Sequence, residues 1–300
     1  MATVLDLDAT YAAIHDDKVG YEEPVDAVRV VGPEALSFLQ GQVSQDLAPL
    51  ETLGALETLV LSPQGKLDGH AWVVRLAEDE AVLISALGFG EGLYDRLSRF
   101  KVRVKADLSL EAWERAVLRG PKAAGEQVPE DAVRVPIDYP GYVGVDLVGL
   151  EIALPDDVPI GTDEGFEAAR IEAGIPRMGA ELTEKTIPQE AGIVERTVNF
   201  DKGCYTGQEL VARIDARGGR VPRRLVGLVV DGPTPQRGDT LRFGGSDVGR
   251  VTSAAYSPRV HAPVALAYLK RDIEVPSALE VVTEDGVLPA EASALPLYRE

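Results

Sequence analysis

DAVRVVGPEALSFLQGQVSQDL, residues 26–47, changes period halfway along. Up to Gly32 apolar and polar residues alternate, as in a half-buried strand. Pro33 then opens a helical pattern, with Leu36, Leu39 and Val43 spaced by three and four residues. Downstream, LETLVLS (56–62) and LDGHAWVVRL (67–76) read as strands joined by the turn PQGK. AVLISAL (81–87) is a further strand, and GEGLYDRLSRF (90–100) a helix with Leu93, Leu97 and Phe100 on one side. VRVKADL (102–108) closes the run. The expected arrangement over about 26–107 is β-α-β-β-α-β, the ferredoxin-like split βαβ, with two helices on one face of an antiparallel sheet.

Beyond it, AWERAVLRGP (112–121) restarts strand-like patterning, and DAVRVPIDYPGYVGVDLVG (131–149) reads as short strands around Pro-Gly turns. TDEGFEAARIEAGIP (162–176) is a helix with Thr162 as its N-cap and Gly174-Ile175-Pro176 as its stop. From RRLVGLVV (223–230) to LEVVTE (279–284), short strands alternate with Gly, Pro and Asp turns, the pattern of a small β-barrel or sandwich. The expected class is α+β, a body over 1–218 followed by a small β-barrel domain over 219–300.

Composition narrows the function. The apolar fraction, 45%, suits a globular chain with sizeable cores. No apolar run is long enough to span a bilayer, and the N-terminus has no basic-then-apolar signal, so a soluble, cytoplasmic protein is expected. The net charge of −19 argues against direct binding of nucleic acid or anionic membranes. The three histidines, His15, His70 and His261, are far apart, and one cysteine builds neither a disulfide nor a four-cysteine metal site, so no resident metal is expected.

That cysteine stands in DKGCYTGQE (201–209), where Gly203 and Gly207 frame Cys204 and Tyr205. Glycines let the backbone turn tightly or approach a ligand closely. Lys202 lowers the thiol's pKa where the two side chains converge. A small buried hydrophobe is the alternative for Cys204. Arg213, Arg217, Arg220, Arg223 and Arg224 follow, opposed only by Asp215: a positive island that is either a solvated face or an anion grip.

KGCYTGQE (202–209) resembles the signature of the YgfZ family, folate-binding proteins related to the T-protein of the glycine cleavage system and implicated in iron–sulfur cluster maintenance. The likeness extends over 30–47, LSPQGKLDG (61–69), RIEAGIP (170–176), IPQEAGI (187–193) and the β-rich tail, about residues 25–270. It implies a folate-binding body with a C-terminal barrel, and tetrahydrofolate in a central channel. Glu190 matches the T-protein carboxylate that accepts the pterin's N–H donors. The signature makes Gly203, Tyr205, Gly207, Gln208 and Glu209 candidate folate-site residues around Cys204 and Lys202. Arg213 and Arg217 are candidates for the folate's glutamate tail. The T-protein carries paired aspartates after the hairpin turn; here Asp68 matches one and Gly69 replaces the other. T-proteins also lack the KGCY motif.

Two functional classes stay open. One is a folate-dependent assembly or repair factor for iron–sulfur proteins, with Cys204 a transient thiol partner and an indirect link to tRNA thiolation and methylthiolation. Its partners are then iron–sulfur client or assembly proteins, which supply the remaining cluster ligands. The other is a one-carbon transferase, demethylase or aminomethyltransferase using Asp68 and Glu190 as acid and base.

Overall fold

The computed structural model describes residues 3–298. Its elements are α1 (Leu7–Asp16), β1 (Val19–Val31), α2 (Ala35–Gln40), β2 (Ala55–Leu61), β3 (Leu67–Ala77), β4 (Glu80–Ala86), α3 (Gly90–Phe100), β5 (Asp107–Arg119), β6 (Val133–Tyr139) and β7 (Tyr142–Gly149). The helices α4 (Asp163–Ala173), α5 (Pro188–Ala191), α6 (Val194–Thr197) and α7 (Gln208–Asp215) follow. The strands β8 (Arg223–Val230), β9 (Thr240–Phe243), β10 (Ser246–Ser257), β11 (Ala262–Lys270), β12 (Ser277–Thr283) and β13 (Gly286–Ser293) end the chain.

The first seven strands form one sheet in the order β2-β3-β4-β1-β5-β7-β6, every neighbouring pair antiparallel. The expected split unit is inside it: β5-β1-β4-β3, with α2 and α3 on one face. The three strands read between the two helices are all present, and β2 adds itself at the sheet edge, outside the four-strand order. The closing strand is Asp107–Arg119, not 102–108.

The first helix is also shorter than its periodicity. It stops at Gln40, and the chain turns back so that Val43 bridges to Val60. The Lys202 ammonium, far along the chain, takes the carbonyls of Gln40, Val43 and Gln45, which a continuing helix would use internally. Phe38, Leu39 and Val43 still reach the core with Leu93 and Leu97. Phe100 does not; it is 37% exposed, its ring stacked under Arg96.

Strands β6 and β7 extend the same sheet. The helix expected at 162–176 forms as α4, with Thr162 Oγ1 accepting from Gly165 N–H and Gly174 in the left-handed region at φ 75°. Six strands close into a barrel, β10-β11-β8-β13-β12-β9, around its own core of Leu228, Leu241, Val251 and Val281. The sheet face away from α2 and α3 packs against α1, α4 and the outer barrel wall, through residues such as Trp113, Phe166, Leu225 and Leu266. No helix among the described residues is long and apolar enough to cross a membrane.

Candidate functional site

A cavity of about 960 Å³ lies where that sheet face meets α4, residues 175–178 and the barrel strand β10. Every strand of the sheet contributes to its floor, because alternate residues of each strand point the same way. Its size is that of a cofactor pocket. Trp72, Tyr139 and Tyr256 give it flat apolar surface.

The floor carries a buried carboxylate that sequence analysis missed. Glu57 has only 4% of its side chain exposed. Its Oε1 accepts from His70 Nε2 and Tyr139 Oη, both at 2.8 Å, and its Oε2 from Arg196 Nε at 3.0 Å. An ionised carboxylate only accepts, so the His70 proton sits on Nε2. Burial alone would push the Glu57 carboxyl up; His70, Tyr139 and Arg196 together pull it down to about 2. The available signal was one charged residue in a mostly apolar strand. Its partners Tyr139 and Arg196 stand 82 and 139 residues away.

A second polar group lines the cavity. Arg119 donates to Asp146 Oδ1 at 2.7 Å, and Arg115 bridges Asp146 and Glu23. Both guanidinium Nε atoms are buried and have no hydrogen-bond partner. Burial opposes the charge of Arg119, and Asp146 more than offsets it, holding the guanidinium above its ordinary pKa. Arg115 and Arg119 line the cavity as residues, while their two Nε atoms lie beneath its surface.

The residues singled out from sequence fall in three places. Asp68 sits at a bulge of β3, outside the lining that His70 and Trp72 share, and Arg96 Nε of α3 donates to its Oδ2 at 3.1 Å. Partial burial raises its pKa despite that arginine. Position 69, where the second aspartate would stand, is closed: a Cβ on Gly69 would lie 2.3 Å from Leu93 Cδ2.

Glu190, at the start of the body–barrel seam, is 5% exposed and accepts from Arg223 Nε at 2.9 Å through Oε2. It is not in the lining of the large cavity. Of the arginine island, Arg213, Arg217 and Arg220 are exposed, while Arg224 donates to the carbonyls of Arg271 and Ile273.

The thiol loop docks on the β2–β3 turn. Gly207 (φ 85°) and Gly65 (φ 72°) approach so closely that a Cβ on Gly207 would meet Ser62 O at 2.5 Å, and one on Gly65 would meet Gly207 O at 3.0 Å. Tyr205 is buried among Leu59, Leu61 and Leu67, and Gln208 Oε1 accepts from its backbone N–H at 3.1 Å. Lys202 Nζ donates to its three carbonyls at 2.7–2.8 Å, and no hydrogen bond joins it to the thiol. Burial lowers its pKa to about 8, against the Asp46 carboxylate, which holds the charge. Cys204 is exposed, so it is not the packing residue of the alternative reading. Gly203 beside it has nothing within 4 Å of a Cβ, and Glu209 is exposed.

Comparison with known proteins places this geometry. The family model for the glycine cleavage T-protein C-terminal barrel domain matches residues 223–299. An aminomethyltransferase from Thermus thermophilus is 30% identical over 301 residues, covering 89% of this chain and 83% of the relative. One from Saccharopolyspora erythraea is 30% identical over 318 residues, covering 91% and 84%. The crystal structure of glycine cleavage system aminomethyltransferase T from Bartonella henselae superposes with a TM-score of 0.82 at 19% identity, covering 97% of this chain and 89% of that one. An uncharacterized protein from Haemophilus influenzae is 27% identical over 193 residues, 64% of this chain and 66% of its own.

Proposed function

The chain belongs to the aminomethyltransferase family of the glycine cleavage T-protein, and on that premise we propose that it is a YgfZ-type member: a tetrahydrofolate-binding protein that supports assembly or repair of iron–sulfur proteins through Cys204. The large cavity between sheet, α4 and barrel carries the ligand half of this reading. Trp72 and Tyr139 offer flat faces to a pterin or aminobenzoyl ring. Arg115 and Arg119 on the lining give the cavity a positive wall, which suits a ligand with carboxylate groups. The T-protein resemblance names Glu190 as the acceptor for the pterin's N–H groups; it lies outside this cavity's lining, with Oε2 engaged by Arg223, so Glu190→Ala tests whether the ligand extends beyond the cavity.

Departure from aminomethyl transfer is supported by Gly69 and Asp68. A side chain at the position of the second aspartate requires the buried Leu93 to shift, and the remaining aspartate is held by Arg96. An exposed thiol on a loop pinned at both flanks suits transient bonding to a protein partner. The proposed link to tRNA modification runs through client iron–sulfur enzymes.

Calorimetric titration with tetrahydrofolate tests the ligand. Trp72→Ala should weaken binding about tenfold, and Glu190→Ala by about 1.5–3 kcal/mol, the scale for a hydrogen bond to a charged group. No measurable binding by the wild-type chain removes the folate reading. Complementation of a deletion strain tests the thiol: Cys204→Ser should bind folate normally and fail to restore iron–sulfur enzyme activity. Turnover of a methylene- or formyl-folate would instead favour one-carbon transfer.

A further inference from the structure

A second cavity, of about 500 Å³, opens where residues 180–186 meet the mouth of the barrel. In a chain with 49 acidic and 30 basic residues, its wall has the opposite sign. Arg223, Arg237, Arg250 and Lys270 face two carboxylates, Glu181 and Asp247. Glu181 is 1% exposed and fully occupied: Oε1 accepts from Ser253, and Oε2 from Arg170 and the Arg177 N–H. Asp247 is exposed and lies 3.5 Å from Arg242.

The cations are less well matched. Strand register sets Arg223 on β8 directly opposite Lys270 on β11, a like-charge pair that weakens a sheet. Glu190 neutralises Arg223 from the body side. Lys270 has only the Asp247 carbonyl, and Arg250 the Gly238 carbonyl and the Thr240 hydroxyl. Arg237, on the loop before β9, makes no hydrogen bond or ion pair with any described residue. Three cations thus converge on one concavity with no carboxylate of their own.

We propose that this basin is an anion-binding site for a ligand carrying several oxyanion groups, either phosphates or a chain of carboxylates, gripped by Arg237, Arg250 and Lys270 from three parts of the barrel. Guanidinium forks take either oxyanion in the same bidentate geometry, and Lys270 adds a point charge. The site stands independently of folate binding in the larger cavity. A glutamyl chain would make it the seat of a folate tail; phosphate would make it a separate site.

Titration of the full-length chain with inorganic pyrophosphate, and separately with tetra-γ-glutamate, tests this at low and high salt. At least one probe should bind, with affinity falling as salt rises. Arg237→Ala combined with Lys270→Ala should weaken that probe at least about tenfold. Arg237→Ala alone disturbs no internal contact and serves if the double variant does not fold. Binding of tetra-γ-glutamate assigns the basin to a carboxylate chain, and binding of pyrophosphate alone to a phosphate ligand. Failure of both probes, or equal binding by a folded Arg237→Ala/Lys270→Ala variant, overturns the proposal.

Discussion

Lys202→Met isolates what the lysine of the KGCY motif does. The ammonium donates to the carbonyls of Gln40, Val43 and Gln45 at 2.8, 2.8 and 2.7 Å, which uses all three of its protons. Methionine keeps the length of the side chain and none of its donors. A hydrogen bond to a charged group is worth about 1.5–3 kcal/mol, so three would sum to about 5–9. The sum overstates the loss, because bonds sharing one donor are not additive and methionine avoids the cost of desolvating an ammonium. A net destabilisation of about 2–4 kcal/mol is expected. For a chain of this size that is a fall in Tm of about 4–8 °C, at about 2 °C per kcal/mol.

Hydrogen exchange should localise the damage to residues 41–47, whose turn loses its staple. The alkylation rate of Cys204 should change by less than about twofold, because a lysine spent on three carbonyls is not activating the thiol. Native Tm with a thiol slowed about fivefold or more would refute this and return Lys202 to the role of thiol activator.

Glu57 gives the pH dependence. Its folded-state pKa lies near 2, below the ordinary 4.5, so the folded state holds fewer protons than the unfolded one between those values. Its stabilisation is present above pH 4.5 and is lost as pH falls towards 2, an effect of about 3 kcal/mol. Urea unfolding from pH 6 to 3 should show this slope in the wild type; an equal slope in Glu57→Gln would assign it to other groups. The two glycines of the thiol motif should part company: Gly207→Ala, with its Cβ driven against Ser62 O, should cost about 2–3 kcal/mol. Gly203→Ala, in open space, should leave Tm unchanged, and equal costs would mean the loop is not docked as described. Gly69→Asp restores the paired aspartates in sequence but drives into Leu93, so it should destabilise without gaining aminomethyl transfer; adding Leu93→Ala should recover part of the loss. Recovery of transfer activity by Gly69→Asp alone would contradict the packing argument.

The parts of the fold legible in sequence were those whose causes are local. Thr162, Gly174 and the apolar spacing between them are enough to start, build and stop α4. The alternation of 26–31 and the Gly-Pro punctuation of the barrel strands work the same way. α2 shows the limit: its pattern runs to Leu47, but a lysine 160 residues on takes its carbonyls. The candidate site divides along the same line. The thiol motif is contiguous and was found. Glu57 joins His70, Tyr139 and Arg196 only through the sheet and the 194–197 turn. The basin cations Arg237, Arg250 and Lys270 meet only through the pairing of β9, β10 and β11. The contiguous arginines of 213–224, the more conspicuous positive signal, are spread over the surface instead, apart from Arg223 and Arg224.

Within KGCYTGQE the side chains divide into those that build the loop and those left outside it. Lys202 staples it to the turn after α2, Tyr205 anchors it in the core at the end of the β2–β3 hairpin, Gln208 accepts the Tyr205 N–H, and Gly207 permits the contact with Ser62. Each of these fixes backbone on one side or the other of Cys204, and none touches its sulfur. A loop whose only purpose was to pack would bury its one soft apolar side chain. In this one a lysine, a tyrosine and a left-handed glycine hold the loop against the hairpin whose second strand carries Asp68 and His70, and the thiol stays in solvent. Under the proposed function, the exposed thiol is held there for a partner to meet, so the serine variant should bind folate normally and still fail in the cell.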